Sequence, residues 1–315
     1  MGFNTLNSSK NAKFKVRACI LIVGLKQGGS DNLSHYSGLF KRANEAKTRL
    51  AERKKAQVEK KTSTSPIIFQ LPLWAEALRC LPNEIAHSAL FNAKNRRQPR
   101  LYLKQAEIAV IGDGRITFTG EELRQDDETV WLQLVHLAKE RPLGNLVEFT
   151  PYSLCKAIGW SIDGRSYKRL RQCLNRMQAT ALSIYSKRLQ SGISLSMIPM
   201  FRWQDEAGNA LAQYQIKVAQ ELVALFGENH YTRLEMEQRK ALPDGIATWL
   251  HSYYASHSKP YPVKLGTLKF GAGLGAMCDF ETKRNIRRAL CELKDVGFLE
   301  SFKIVGELVH VIRKN

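Results

Sequence analysis

No Cys-x-x-Cys pair, no His-Glu-x-x-His and no His-x-His occurs in this chain. Its six cysteines, Cys19, Cys80, Cys155, Cys173, Cys278 and Cys291, are scattered singly, and several fall inside apolar helical patterns. That spacing argues against a disulfide frame or a zinc site, and for reduced intracellular thiols packed as small hydrophobes. The pattern Gly-x-x-x-x-Gly-Lys-[Ser/Thr] is missing, which removes P-loop nucleotide hydrolysis. Long apolar runs are missing too. Ala18 to Leu25 is too short to span a membrane. Lys13, Lys15 and Arg17 before it and Gly28-Gly29-Ser30 after it imitate a signal peptide. The odd cysteine left after cleavage and the basic remainder suit the cytoplasm better, so a cytoplasmic protein without a membrane partner is expected.

Acidic residues are scarce: 29 Asp and Glu stand against 48 Lys and Arg, a formal net charge of +19 over 315 residues. A balance this basic points to a polyanion, usually nucleic acid. A basic tail on a neutral domain is the plainer explanation, and part of the charge does lie in a tail. Residues 1–66 read as a basic, flexible N-terminal arm. Lys41 to Lys61 has helix propensity but almost no apolar stripe, so it is a solvated helix or a disordered arm able to touch phosphates. Thr62 to Pro66 breaks it. Basic residues also recur in the later helices, which a tail alone does not explain.

From Phe69 the pattern becomes that of a folded protein, long enough for about two domains. Leu73 to Ala93 shows helical periodicity interrupted near Pro82. Ile108 to Gly120 reads as a hairpin about Asp113-Gly114. An amphipathic helix is expected from Asp126 to Lys139, with Val130, Leu134 and Leu137 on one side. Val147 to Trp160 reads as a strand and a short helix, Ile162 to Gln178 as a longer helix, and Thr180 to Val218 as several strands. The C-terminal part repeats this order: a helix with Pro243 near its start, then a short strand and helix from Pro262 to Gly275. A second long helix follows, with Asp279 as N-cap and Gly297 as its stop. Two strands about Gly306 end the chain.

The two long helices superimpose without a gap when Lys168 is laid over Arg284. Arg171 then falls on Arg287, Leu174 on Leu290, Met177 on Leu293, Ala181 on Gly297 and Leu182 on Phe298. Upstream, Leu154 falls near Leu268. Each copy reads helix, turn, helix, hairpin, the order of a winged helix, whose second helix enters the DNA major groove. The expected fold is therefore α+β, with two tandem winged-helix domains at 67–217 and 218–315 after the basic arm. At about 100° per residue, Arg165, Lys168, Arg169, Gln172 and Arg176 share one face, opposite Tyr167, Leu170, Leu174 and Met177. Arg284, Arg287 and Arg288 cluster opposite Ile286, Ala289, Leu290 and Leu293. Solvated helices usually mix both signs of charge, whereas these faces are nearly all cationic. Arg chelates a guanine edge and Gln or Asn an adenine edge. The candidate DNA-binding residues are Arg165, Lys168, Arg169, Arg171, Gln172 and Arg176 in the first helix, and Lys283, Arg284, Arg287 and Arg288 in the second.

No catalytic residue, metal site or cofactor is expected. Phe270 to Met277 is glycine-rich but lacks the P-loop lysine and reads as a turn. Asp126-Asp127-Glu128 reads as the acidic first turn of a helix. Tyr253-Tyr254 suggests a strand-nicking tyrosine, but no paired-histidine metal site accompanies it.

Leu71 to Phe91, Ile108 to Ala138 and Phe149 to Met177 resemble the TrfA plasmid replication initiators of broad-host-range plasmids, over roughly four-fifths of the chain from Phe69 onward. The resemblance implies binding to repeated sites (iterons) at a plasmid origin and opening of a neighbouring AT-rich segment, with single-stranded DNA as a further partner. It implies help from the host initiator DnaA, recruitment of the replicative helicase and the sliding clamp, and a monomer–dimer balance that limits copy number. It also bears on Phe69 to Trp74, FQLPLW. Bacterial clamp-binding peptides have the form Q-L-x-L-F, and Gln70, Leu71, Leu73 and Trp74 occupy the matching positions, with Trp for Phe. The leucines and the aromatic would fill an apolar pocket while the glutamine amide bonds at its rim. The same side chains suit a core-facing strand equally well. A transcriptional regulator with the same DNA-reading helices, or a nicking initiator using Tyr253 or Tyr254, are the other functions the sequence suggests.

Overall fold

The computed structural model describes residues 48–49, 70–188 and 190–314. Of the N-terminal arm this includes only Thr48 and Arg49, helical and exposed. The signal-like run, Cys19 and Phe69 lie outside the described residues. In the first part of the fold the elements are β1 (Leu78–Pro82), α1 (Asn83–Ala86), β2 (Phe91–Asn92), β3 (Tyr102–Ile108), β4 (Arg115–Glu121), β5 (Leu123–Arg124), α2 (Gln125–Ala138), β6 (Val147–Phe149), α3 (Pro151–Ala157), α4 (Gly164–Gln178), β7 (Ala181–Ser186), β8 (Ser191–Leu195), β9 (Met200–Gln204), β10 (Ala210–Lys217), a 3-10 helix (Gln220–Asn229) and β11 (Tyr231–Glu235). There follow α5 (Met236–Ala241), α6 (Ile246–Ala255), β12 (Val263–Lys264), α7 (Leu265–Gly271), α8 (Asp279–Asp295), β13 (Leu299–Val305) and β14 (Leu308–Arg313).

Helical periodicity over Leu73 to Ala93 is overridden by pairing. Leu78 to Pro82 form β1 because β11 lies antiparallel beside it, Cys80 opposite Arg233. Pro82 ends the strand and leads into α1. The hairpin expected about Asp113-Gly114 is present as β3–β4, with Ile108 opposite Ile116 and Glu107 opposite Thr117. β7 and β8 extend it to a four-stranded sheet, β3-β4-β7-β8. Its inward side chains Ile116, Phe118, Leu182 and Ile184 are buried in the first core. α2 departs from the amphipathic reading: it is buried on nearly every side, including its acidic first turn.

The second core is simpler. α6, α7 and α8 pack under a sheet of order β12-β14-β13. α8 begins at Asp279 itself, with Cys278 as N-cap. It stops at Gly297, whose φ of +75° suits glycine and lets the Phe298 N–H return to the Leu293 carbonyl. The first core contains the same order: α2, β6, α3, α4 and the hairpin β9–β10, in a sheet of order β6-β10-β9. In each, the short strand before the helix pair joins the last strand of the hairpin. The hairpin β7–β8 intervenes only in the first, where it leaves to complete the β3–β4 sheet. The superposed pairs Leu174 and Leu290, Met177 and Leu293, and Leu154 and Leu268 are all buried.

Apart from Ala93, which joins the second, the cores change over between Met236 and Leu242, whereas the sequence reading put the domain boundary between 217 and 218. They form one compact unit. The Trp249 indole donates to the Ser88 carbonyl, and Ala93 N–H donates to Ala272. Gly273, at φ +69°, brings the chain so near β2 that a Cβ there would lie 2.8 Å from Asn92 Cβ. The glycine-rich stretch is therefore a turn, as expected, and also a close-packing point between the cores.

Candidate nucleic-acid interface

Sequence chemistry fixes the two helices of the first pair. Thr150 caps α3 by accepting from Ser153 N–H at 3.0 Å, with Pro151 at the first helical position. Asp163 caps α4 by accepting from Ser166 N–H at 2.7 Å, and these bonds hold its carboxyl below its ordinary value. Leu170, Cys173, Leu174 and Met177 are buried, so the opposite face of α4 is turned outward.

The six candidates on α4 fall into two groups. Arg165, Lys168, Arg171 and Gln172 are exposed. Arg171 lies 5.0 Å from the Trp203 ring centroid, and no carboxylate among the described residues pairs with Arg165, Lys168 or Arg171. Arg169 and Arg176 are engaged. Arg169 stacks on Trp160 at 3.7 Å, donates to Asp244 at 2.8 Å and lies 3.5 Å from Asp126. Arg176 reaches the buried Asp127 at 2.8 Å. Burial alone would lower the Arg176 guanidinium, but Asp127 beside it raises it above its ordinary value. Both side chains are tied to the fold's own acids, and Arg169 has little cation left to offer a phosphate.

Those acids sit in the first turn of α2. Arg100 bonds Asp126 at 2.9 Å and Asp127 at 2.6 Å, and the Arg124 backbone N–H donates to Asp127 at 2.9 Å. Burial raises the Asp126 carboxyl, but Arg100, Arg169 and Arg176 together hold it below its ordinary value. Burial, with the Asp126 charge beside it, pushes Asp127 up against the pull of Arg176 and Arg100. Glu128 is met at 3.3 Å by buried Arg239, and Ser252 of the second core donates to it at 2.7 Å. With Cys173, Asp126 and Asp127 are close enough to share an ion. Three guanidiniums occupy the space around them, however, so the donor set fits an arginine network better than a metal. The sequence reading of a helix-terminal charge was right in place and silent about these partners, which come from distant segments.

On α8, Lys283, Arg284, Arg287 and Arg288 are all exposed, over buried Ile286, Ala289, Leu290 and Leu293. Lys283 donates to the Gly306 carbonyl at 3.3 Å, and Arg288 lies 3.9 Å from Glu292 one turn on. An exposed pair of this kind is worth little.

One cationic element escaped the sequence reading. The turn Asn95–Gln98 (Asn-Arg-Arg-Gln) follows buried β2 and is exposed throughout. Four consecutive polar residues beside a buried strand are its sequence signal.

The clamp-like peptide is split. Leu71 and Trp74 are buried in the first core, whereas Leu73 is 70% exposed. The Gln70 amide donates weakly to the Lys139 carbonyl at 3.5 Å. Tyr253 and Tyr254 are buried, their phenols raised first by burial, which takes both away from any strand-nicking role. Cys80 and Cys155 are buried thiols, pushed by burial up to about 12 and about 11, and behave as small hydrophobes. Cys278 and Cys291 are exposed, unlike the packed thiols expected.

Residues 34–313 match the model of the TrfA protein family. The chain belongs to the TrfA family. The plasmid replication initiator protein TrfA of Escherichia coli is 36% identical over 248 residues, 78% of this chain. The chain spans 64% of that relative's length. The match to the TrfA model takes in both cationic helices, the acidic turn of α2 and the clamp-like peptide. Among solved structures, domains 2 and 3 of RctB share the fold, with a TM-score of 0.53 at 11% identity, covering 74% of this chain and 98% of that one. No helix among the described residues is long and apolar enough to cross a membrane.

Proposed function

We propose that the chain is a plasmid replication initiator that binds repeated sites at an origin through two winged-helix heads. One observation carries the reading: the same arrangement of short helix, long helix and hairpin occurs twice, each time with an exposed cationic face on the long helix. In the first head the exposed groups are Arg165, Lys168, Arg171 and Gln172; in the second they are Lys283, Arg284, Arg287 and Arg288. Two heads in one chain can engage successive major grooves of one site without a partner subunit. Membership of the TrfA family adds the replication role: opening of an AT-rich segment with DnaA, recruitment of the helicase and the sliding clamp, and a monomer–dimer balance, in the bacterial cytoplasm. The protein acts by binding and has no enzymatic step.

The test is maintenance of a replicon that lacks its own initiator when this gene is supplied in trans, together with footprinting on its origin. Maintenance and protection of the repeats are expected. Protection of the repeats without maintenance would leave a transcriptional regulator, and equal protection of random DNA would defeat both readings.

A further inference from the structure

The turn Asn95–Gln98 belongs to neither long helix, yet it lines a cleft with each. On one side Arg96 and Arg97 share a space of about 550 Å³ with Arg165 and Gln172 of α4. On the other they share about 910 Å³ with Asn285 and Arg288 of α8. The turn therefore lies between the two faces that carry the cationic groups.

It is also built to keep its shape. Gln98 N–H donates to the Asn95 carbonyl at 3.1 Å, and Arg97 N–H to Asn95 Oδ1 at 2.9 Å. Arg124, almost wholly buried, donates to the carbonyls of Asn95, Gln98 and Pro99 at 2.5, 2.9 and 2.8 Å. A buried guanidinium spent on three loop carbonyls fixes the backbone from below. Above it, Arg96 lies 3.5 Å from Asp244. Arg97 is exposed, and no carboxylate among the described residues pairs with it. The one cation the turn leaves free is held at its tip.

We infer that this turn enters the DNA minor groove between the two major-groove sites, with Arg97 selecting an A·T-rich centre in each repeat. The inference rests on the two-headed reading above. Helices in successive major grooves on one face stand about 34 Å apart, and the minor groove between them faces the protein. That groove, about 6 Å wide, admits a side chain but not a helix. A·T tracts narrow it and deepen its negative potential, which favours an inserted arginine over any contact a G·C centre offers. The two heads read base edges; the turn reads width and charge.

The test uses the full chain and the duplex it selects from a random pool, with the base pairs between the two protected half-sites left as selected, replaced by G·C, or replaced by inosine·C. Inosine·C has the major-groove edge of G·C but lacks the minor-groove amino group. The wild type should bind the G·C centre about tenfold more weakly and the inosine·C centre nearly as well as A·T. Arg97→Ala should bind all three about equally, with a salt slope lower by about one, while keeping the half-site preference and the melting temperature. Arg97→Ala that retains both the centre preference and the slope overturns the minor-groove role and leaves the heads standing. A chain that selects no sequence at all overturns both.

Discussion

The Trp74 indole N–H donates to His136 Nδ1 at 3.1 Å, and the ring lies parallel to Phe226 with centroids 6.1 Å apart. The aromatic of the clamp-like peptide thus fills a place in the first core, while Leu73 beside it faces solvent. One indole cannot occupy the core and a partner's groove at once. Clamp engagement therefore requires Trp74 to leave Phe226 and His136. Leu73→Ala is expected to weaken binding to a bacterial sliding clamp, measured by surface plasmon resonance, with melting temperature and origin binding unchanged. Trp74→Ala is expected to cost about 3–5 kcal/mol of stability as a large-to-small core change. Full clamp affinity in Leu73→Ala would remove the peptide from the recruitment step.

Stability should fall in mild acid. Burial, aided by His257 and His230, lowers His87 to about 4, and burial with Arg239 and Arg313 lowers His251 to about 3. His136 is lowered too, by burial first, with Arg79 and Lys139 adding to it against the pull of Glu76. Each is neutral in the fold where the unfolded chain is already protonated. Below about pH 6.5 the unfolded state binds more protons, so stability is lost as pH falls from there toward about 4. Each tenfold difference in proton affinity between the folded and unfolded chain is worth roughly 1.4 kcal/mol. Thermal melts across this range should show a steady decline, and His87→Asn should flatten it. A wild-type melting temperature independent of pH would contradict the burial of these rings.

Gly273 joins the cores by lacking a side chain. Its φ of +69° is unfavourable for any other residue, and an added Cβ would also meet Ala89 Cβ at 3.2 Å. Gly273→Ala is expected to lower stability by about 1–3 kcal/mol in urea unfolding, with the loss shared by both cores because the Ala93 N–H donates to the Ala272 carbonyl across the same contact. An unchanged midpoint would mean that the cores do not meet there.

Much of this was legible in the sequence, for identifiable reasons. The stop at Gly297 is local chemistry, so the end of α8 falls where the residue says, and apolar spacing places α3 and α4 within Val147–Trp160 and Ile162–Gln178. The internal match of Leu174 with Leu290 survives because buried helix faces keep their spacing. What the sequence hid is non-local. β1 forms at Leu78–Pro82 because β11, far along the chain, pairs with it. Arg169 and Arg176 look like their neighbours Lys168 and Arg171 on a helical projection. Only the fold reveals that Asp126, Asp127 and Asp244 claim them. The turn at Arg96 and Arg97 went unread because its meaning lies in its place between two helices.

That division of α4 gives the sharpest test of the interface. Lys168 is exposed and unpaired among the described residues, whereas Arg176 reaches fully buried Asp127. On the proposed reading, Lys168→Ala removes a phosphate contact, and it takes nothing from the core. It should weaken DNA binding similarly across sequences, lower the salt slope by about one, and leave the melting temperature unchanged. Arg176→Ala leaves a buried carboxylate with one partner fewer, a loss of about 3–5 kcal/mol for a broken buried pair. Its DNA binding should fall in step with the folded fraction, and Asp127→Asn in the same chain should recover part of the stability. If Arg176→Ala kept full stability while losing DNA affinity, Arg176 would belong with the DNA-reading residues and the assignment of Asp127 as its partner would be wrong.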